Sequence, residues 1–155
     1  MSQPYGNRRP ILFHRGRTIM DDAHCIAVSI GLITNNKHIL IGKRTTGHFA
    51  SLWEFPGGKI ELNETSYDAL IREMHEELDI NVQSASEVIH IREKSHKVTF
   101  HLQIWQIHKY TGTIIANEQQ HLQWAPIDQI HNIDIIPTNI PIIQFLQQTH
   151  ACTNE

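Results

Sequence analysis

Residues 65–79, TSYDALIREMHEELD, admit one regular structure and set it a problem. Thr65 and Asp68 make a Thr-x-x-Asp capping pattern, which marks a helix start. Tyr67, Leu70, Ile71, Met74 and Leu78 follow at helical spacing and form one apolar stripe. The spacing predicts a helix over 66–78 that lays this stripe on a core. At roughly 100° per residue, Glu73, Glu76 and Glu77 lie together on another side, within an arc of about 100°. Like charges three and four residues apart repel, and Glu76, Glu77 and Asp79 also sit where the helix dipole disfavours acids. Arg72 relieves part of this through an i,i+4 pair with Glu76. A solvated acidic face is one outcome; a bound divalent cation, which relieves more of the repulsion, is the other. Several oxygen ligands without Cys or His suit Mg²⁺ or Mn²⁺.

Ahead of the helix stands Pro56-Gly57-Gly58. Adjacent glycines let backbone approach a ligand closely and turn a carbonyl toward it. A loop there, beside a carboxylate helix, suits a metal-bound polyphosphate, with Lys43, Arg44 and Lys59 near enough to contact its oxygens.

The rest of the chain is organised around this segment. CIAVSIGLI from Cys25 reads as a strand, Asn35–Asn36 as a turn and HILIGKR as a second strand completing a hairpin. LWEF is a short strand. EVIHIRE (87–93) and VTFHLQIWQIHKY (98–110) are two more, joined by a turn near Ser95–His96. In the second, the alternation of Val98, Phe100, Leu102 and Ile104 slips to Trp105 and Ile107, which marks a bulge. HLQWAPI is a further strand, and a C-terminal helix opens at Pro141. Strands, helix, strands, helix indicate an α+β chain, an α/β/α sandwich with a mixed β-sheet between helices.

Length and composition bound the function. With 155 residues, 40% hydrophobic and 19% charged, the chain suits one soluble domain with a sizeable core. We expect a basic, flexible extension over 1–22, the domain over 23–150 and a short tail over 151–155. The extension carries four arginines before its first acid, and Met20 is a candidate native start. No apolar run reaches the ~18–20 residues of a membrane helix. A net charge of −3 gives no general affinity for nucleic acid. Two cysteines without a CxxC or zinc spacing read as reduced thiols, so a cytoplasmic location is expected.

GKIELNETSYDALIREMHEELDI, residues 58–80, resembles the Nudix box, G-x5-E-x7-R-E-U-x-E-E-x-G-U with U apolar. Gly58, Glu64, Arg72, Glu73, Met74, Glu76, Glu77 and Ile80 fit. Asp79 departs, standing where the family has glycine; a left-handed residue is expected there, which Asp tolerates better than most. Over about 24–147 the chain is similar to the MutT-like branch, which hydrolyses 8-oxo-dGTP: LWEFPGGKIE, the Trp124 placed after Glu118, and PTNIPII all match in form. The resemblance implies that Arg44, His48, Glu54, Phe55, Pro56, Gly57, Lys59 and Asn139 bind nucleotide. It implies that Glu73, Glu76, Glu77, Glu118 and the Gly57 carbonyl hold Mg²⁺, or Mn²⁺. Where the branch often places an arginine over the base, this chain has His96 and Lys97. Taken singly, Arg44 is a surface arginine, His48 a loop histidine, Glu118 a loop carboxylate and Asn139 a cap for the C-terminal helix.

The implied reaction is attack of water on a nucleoside triphosphate, releasing the monophosphate and pyrophosphate, which for 8-oxo-dGTP cleanses the nucleotide pool. Glu73 or Glu118 takes the proton, Arg72 orients glutamates, and Glu64 supports them from behind. A monomer acting on a small nucleotide, with no direct nucleic-acid or membrane partner, is expected. The alternatives are another nucleotide substrate, such as a pyrimidine triphosphate or a dinucleoside polyphosphate, or a non-catalytic binding module, which should have lost box glutamates.

Overall fold

The computed structural model describes residues 12–13, 17–18, 25–95, 97–118 and 120–152. Of the 1–22 extension it describes a short antiparallel ladder, Leu12–Phe13 (β1) on Arg17–Thr18 (β2). Met20, His96 and the last residues of the 151–155 tail lie outside the described residues. Strand Cys25–Leu32 (β3) pairs parallel with Val98–Thr111 (β9) over its whole length, from Cys25 opposite Thr99 to Leu32 opposite Gln106. Gly57–Lys59 (β7) joins its other edge antiparallel, and Asn81–Ser95 (β8) pairs antiparallel with β9. This mixed sheet runs β7-β3-β9-β8. A second sheet places His38–Lys43 (β5) between Thr34–Asn35 (β4) and His121–Pro126 (β10), with Trp53–Glu54 (β6) also on β5.

Three strand expectations need correction. The predicted hairpin keeps its turn, with Asn36 and Lys37 at φ 47 and 63, but only β4 and the start of β5 pair across it. At Ile33 the chain leaves the first sheet for the second, because β9 offers β3 a partner at every position. The Pro-Gly-Gly segment is not simply a loop, since Gly57–Lys59 is an edge strand. β8 begins at Asn81, not Glu87, running on from the end of the helix; its outward polar residues hide the pattern.

Both faces of the sheets are covered. Ile39, Ile41, Leu102 and Ile104 pack with Ile142, Ile143 and Leu146 of the C-terminal helix α2 (Ile140–Cys152). Leu40, Ile33 and Ile107 pack with Leu70, Met74 and Leu78 of helix α1 (Ser66–Leu78). A strand buried on both faces reads as a continuous apolar run, which is why HILI shows no alternation. The slip at Trp105 has the same origin. Leu102 and Ile104 face the α2 core, and Ile107 with Trp105 faces the α1 core. The ladder is also irregular there, with register shifts in β8 between Val82 and Ile89.

Helix α1 occupies 66–78 as the spacing predicts. Thr65 Oγ1 accepts the Asp68 N–H at 3.0 Å, and its hydroxyl donates to the Asp68 carboxylate at 2.6 Å in place of the reciprocal backbone bond of a full capping box. The helix sits close on β3 over Gly31, where a Cβ would come within 3.0 Å of the Leu70 and Met74 side chains. Asp79 ends the helix at φ 57, ψ 31, its N–H directed to the His75 and Met74 carbonyls. It is therefore a left-handed cap built from a residue that pays a steric cost there and adds a negative charge at the wrong end of the dipole. Asp79→Gly should stabilise the fold by about 1 kcal/mol, a rise in Tm of roughly 2–4 °C in thermal melts, with turnover unchanged. A lower Tm would contradict this account of the cap.

Candidate active site

Arg72 organises the acidic face. Its Nε and Nη2 hold both oxygens of Glu64 at 2.7 and 2.9 Å, and Nη1 reaches Glu73 at 2.7 Å and Glu76 at 3.3 Å. Nη2 also donates to the Lys59 carbonyl at 3.0 Å, which ties the helix to β7. The expected i,i+4 pair with Glu76 is present, and it is the longest contact of the set. Hydrogen bonding to Arg72 lowers the Glu64 pKa, and the bonds from Glu64 and Glu73 push the guanidinium still higher. Arg72 is thus spent on carboxylates and backbone, as the orienting role requires.

Glu77 points the other way, toward β7. Its Oε2 accepts the Gly57 N–H at 3.3 Å. The ladder bonds from Gly31 N–H to Pro56 and from Ile60 N–H to Ala27 leave Gly57 in a non-hydrogen-bonded pair, so its amide and carbonyl face away from β3, on the side of Glu77. The close approach needs glycine at both positions. A Cβ on Gly57 would overlap the Ser29 carbonyl, and one on Gly58 would overlap the Glu73 carboxylate. Beside Glu77 opens a cleft of about 160 Å³ lined by Arg44, Thr45, Thr46, Glu54, Pro56, Glu118 and Gln120 among others. Arg44 Nε stands 3.6 Å from the Glu54 carboxylate.

The family model of the NUDIX domain matches residues 23–146. The chain belongs to the Nudix hydrolase family. It is 35% identical over 128 residues to the CTP pyrophosphohydrolase of Escherichia coli, covering 81% of this chain and 94% of that protein. It is 32% identical over 127 residues to the 8-oxo-dGTP diphosphatase of the same organism, covering 79% and 97%. A solved MutT structure, from work on the Aliivibrio salmonicida and Vibrio cholerae proteins, superposes with a TM-score of 0.69 at 28% identity, covering 79% of this chain and 96% of that one. The fold, the mixed sheet between helices and the MutT-like Nudix hydrolase class are those expected from the box and from the similarity outside it.

Nudix hydrolases generally use divalent ions, and the donors here fit one: carboxylates and a backbone carbonyl are hard oxygen ligands. Among the described residues, no three His, Cys, Asp or Glu side chains stand close enough together to hold a metal ion. Glu73 is drawn to Arg72 and Glu77 to the Gly57 amide, so side-chain turns are needed to close the set. The charges are nevertheless near enough to act on each other. Burial raises the Glu77 pKa to about 9, reinforced by Glu118, Glu73 and Glu54. Burial also raises Glu73 and Glu54, each with a further push from Glu118.

The other expected residues divide. Glu54, Pro56, Arg44 and Glu118 line the cleft, but His48 does not; it is exposed in a turn with its ring 4.8 Å from that of Phe49. Lys59 is exposed and contributes its carbonyl to Arg72. Asn139 is buried, and its Oδ1 accepts the Phe55 N–H at 3.0 Å. Phe55 is buried in the α2 core beside it. Thr45, Thr46 and Gln120 line the cleft without having been picked out by the motif, since they carry no charge and lie in loops.

The raised Glu77 pKa has a measurable sign. Between the ordinary 4.5 and about 9, the folded chain keeps the Glu77 proton that the unfolded chain has lost. Stability in EDTA therefore falls as pH rises through that window. Wild-type Tm should drop by several degrees more than that of Glu77→Gln between pH 5.5 and 8.5 in scanning calorimetry. Parallel curves for the two proteins would refute the shift.

Proposed function

We propose that this Nudix hydrolase is a Mg²⁺-dependent nucleoside triphosphate pyrophosphohydrolase that converts 8-oxo-dGTP to 8-oxo-dGMP and pyrophosphate. The observation that carries the reading is one cleft holding Arg44 beside Glu54, Glu77 and Glu118, a cation for phosphate next to acids for metal. Gly57, Glu73, Glu76, Glu77 and Glu118 are the assigned ligands. A bound Mg²⁺ would polarise phosphoryl oxygens and acidify the attacking water. Arg44 binds phosphate oxygens. Glu73 commits an oxygen to Arg72, whereas Glu118 lines the cleft directly, so we assign the water's proton to Glu118. Arg72 acts through Glu64, Glu73 and Glu76 and touches no substrate.

Base recognition falls to Asn139 and the Phe55 amide. The pair already brings a carbonyl oxygen and a backbone N–H together at 3.0 Å. An amide side chain offers donor and acceptor to the C8 carbonyl side of an oxidised guanine, and a base lacking that edge would leave buried polar groups unpaired. The 35% identity to a CTP pyrophosphohydrolase supports a second reading, a pyrimidine triphosphate at the same site.

A panel of 8-oxo-dGTP, dGTP, CTP, dCTP and a dinucleoside polyphosphate, scored by pyrophosphate release in Mg²⁺, separates these. The highest kcat/KM is expected for 8-oxo-dGTP, and a tenfold preference for CTP would transfer the assignment to the second reading. Asn139→Ala should raise KM for 8-oxo-dGTP about tenfold more than for dGTP, with equal effects pointing to a purely structural asparagine. Glu77→Gln should lose on the order of a hundredfold or more in turnover while staying folded, as expected when a metal ligand is removed. Near-normal activity in Mg²⁺ would refute its metal role.

A further inference from the structure

The carboxylate of Glu118 reaches the cleft from the loop between β9 and β10, and the way this loop is held points to an additional residue. The last carbonyls of any helix lack intrahelical donors. At the end of α1, Leu78 O accepts the Ile115 N–H at 3.1 Å and Glu77 O accepts the Asn117 N–H at 3.0 Å. The Gln120 side chain completes the clamp from both ends. Its Nε2 donates to Glu77 O at 3.3 Å, and its Oε1 accepts the Glu118 N–H at 3.0 Å. One amide thus joins the backbones of the two residues whose carboxylates share the cleft. Only a side chain with both a donor and an acceptor makes this bridge: glutamate lacks the donor, and asparagine is one methylene short.

We propose that Gln120 is a positioning residue that fixes the spacing of Glu118 from Glu77, and through it the affinity of the cation site. This rests on the reading of Glu118 and Glu77 as metal ligands. The loop's two backbone bonds to α1 do not depend on Gln120, so losing its side chain frees Glu118 without detaching the loop.

The test measures Mn²⁺ binding to the full chain without nucleotide, by electron paramagnetic resonance, alongside Mg²⁺ titrations of activity on the fastest nucleotide of the panel. Gln120→Ala should weaken Mn²⁺ about tenfold and raise the half-saturating Mg²⁺ by a similar factor. KM for nucleotide at saturating Mg²⁺ should stay within twofold, and Tm in EDTA within about 2 °C. In a Glu118→Gln background, Gln120→Ala should have no further effect on Mn²⁺ affinity, because both changes act through one carboxylate. Normal Mn²⁺ binding in Gln120→Ala, with weakened binding in Glu118→Gln, would overturn the positioning role alone. A raised KM with normal Mn²⁺ binding would make Gln120 a substrate contact and overturn it too. Normal Mn²⁺ binding in Glu118→Gln would overturn the ligand reading and this inference together.

Discussion

The rest of the site depends on one guanidinium. Arg72 faces three glutamates and a backbone carbonyl at distances of 2.7 to 3.3 Å. Its fork on Glu64 is bidentate, the strong geometry for an arginine–carboxylate pair, and both side chains are largely withdrawn from water. That fork does two jobs. It supplies positive charge where Glu73 and Glu76 would repel, and it binds the helix to the strand that carries Gly57 and Gly58. A lysine could offer the charge but not the fork.

The acid that Arg72 does not reach is the one most out of balance. Glu77 accepts the Gly57 amide and shares the cleft with Glu54 and Glu118. Burial and like charge hold it protonated well above the ordinary carboxylate range. A cation placed among these oxygens reverses that preference, since it favours the ionised form of each ligand. The helix therefore has two halves in electrostatic terms, one neutralised internally by arginine and one, around Glu77, that the proposed cation would neutralise. The fold sets this up by burying Leu70, Met74 and Leu78 on another side of α1, which fixes the rotation of the helix and so the direction in which Glu77 points.

Local features were legible in the sequence. The helix bounds, the Thr65 cap and the Arg72–Glu76 pair follow from spacing within one turn or two. The left-handed Asp79 follows from its standing where the Nudix box has glycine. Features made by distant segments were not. The Asn139–Phe55 bond joins residues 84 apart, and nothing local distinguishes that asparagine from a helix cap. The parallel partner of β3 is not legible locally, because a turn signal at Asn36 reports on its own neighbours and not on β9. Gln120 carries no sequence signal, because an uncharged loop residue acquires meaning only once the end of α1 lies against it. His48 shows the converse: its match to the MutT-like branch does not put it among the residues that line the cleft.

The central claim is that the acidic half of α1 is a cation site whose Glu77 carries a proton until metal arrives. Isothermal titration of Mg²⁺ into the full chain at pH 7.5, repeated in buffers of different ionisation enthalpy, counts the protons released on binding. The account predicts release of about one proton per site, reduced toward zero in Glu77→Gln. Binding with no proton release in the wild-type chain would contradict it.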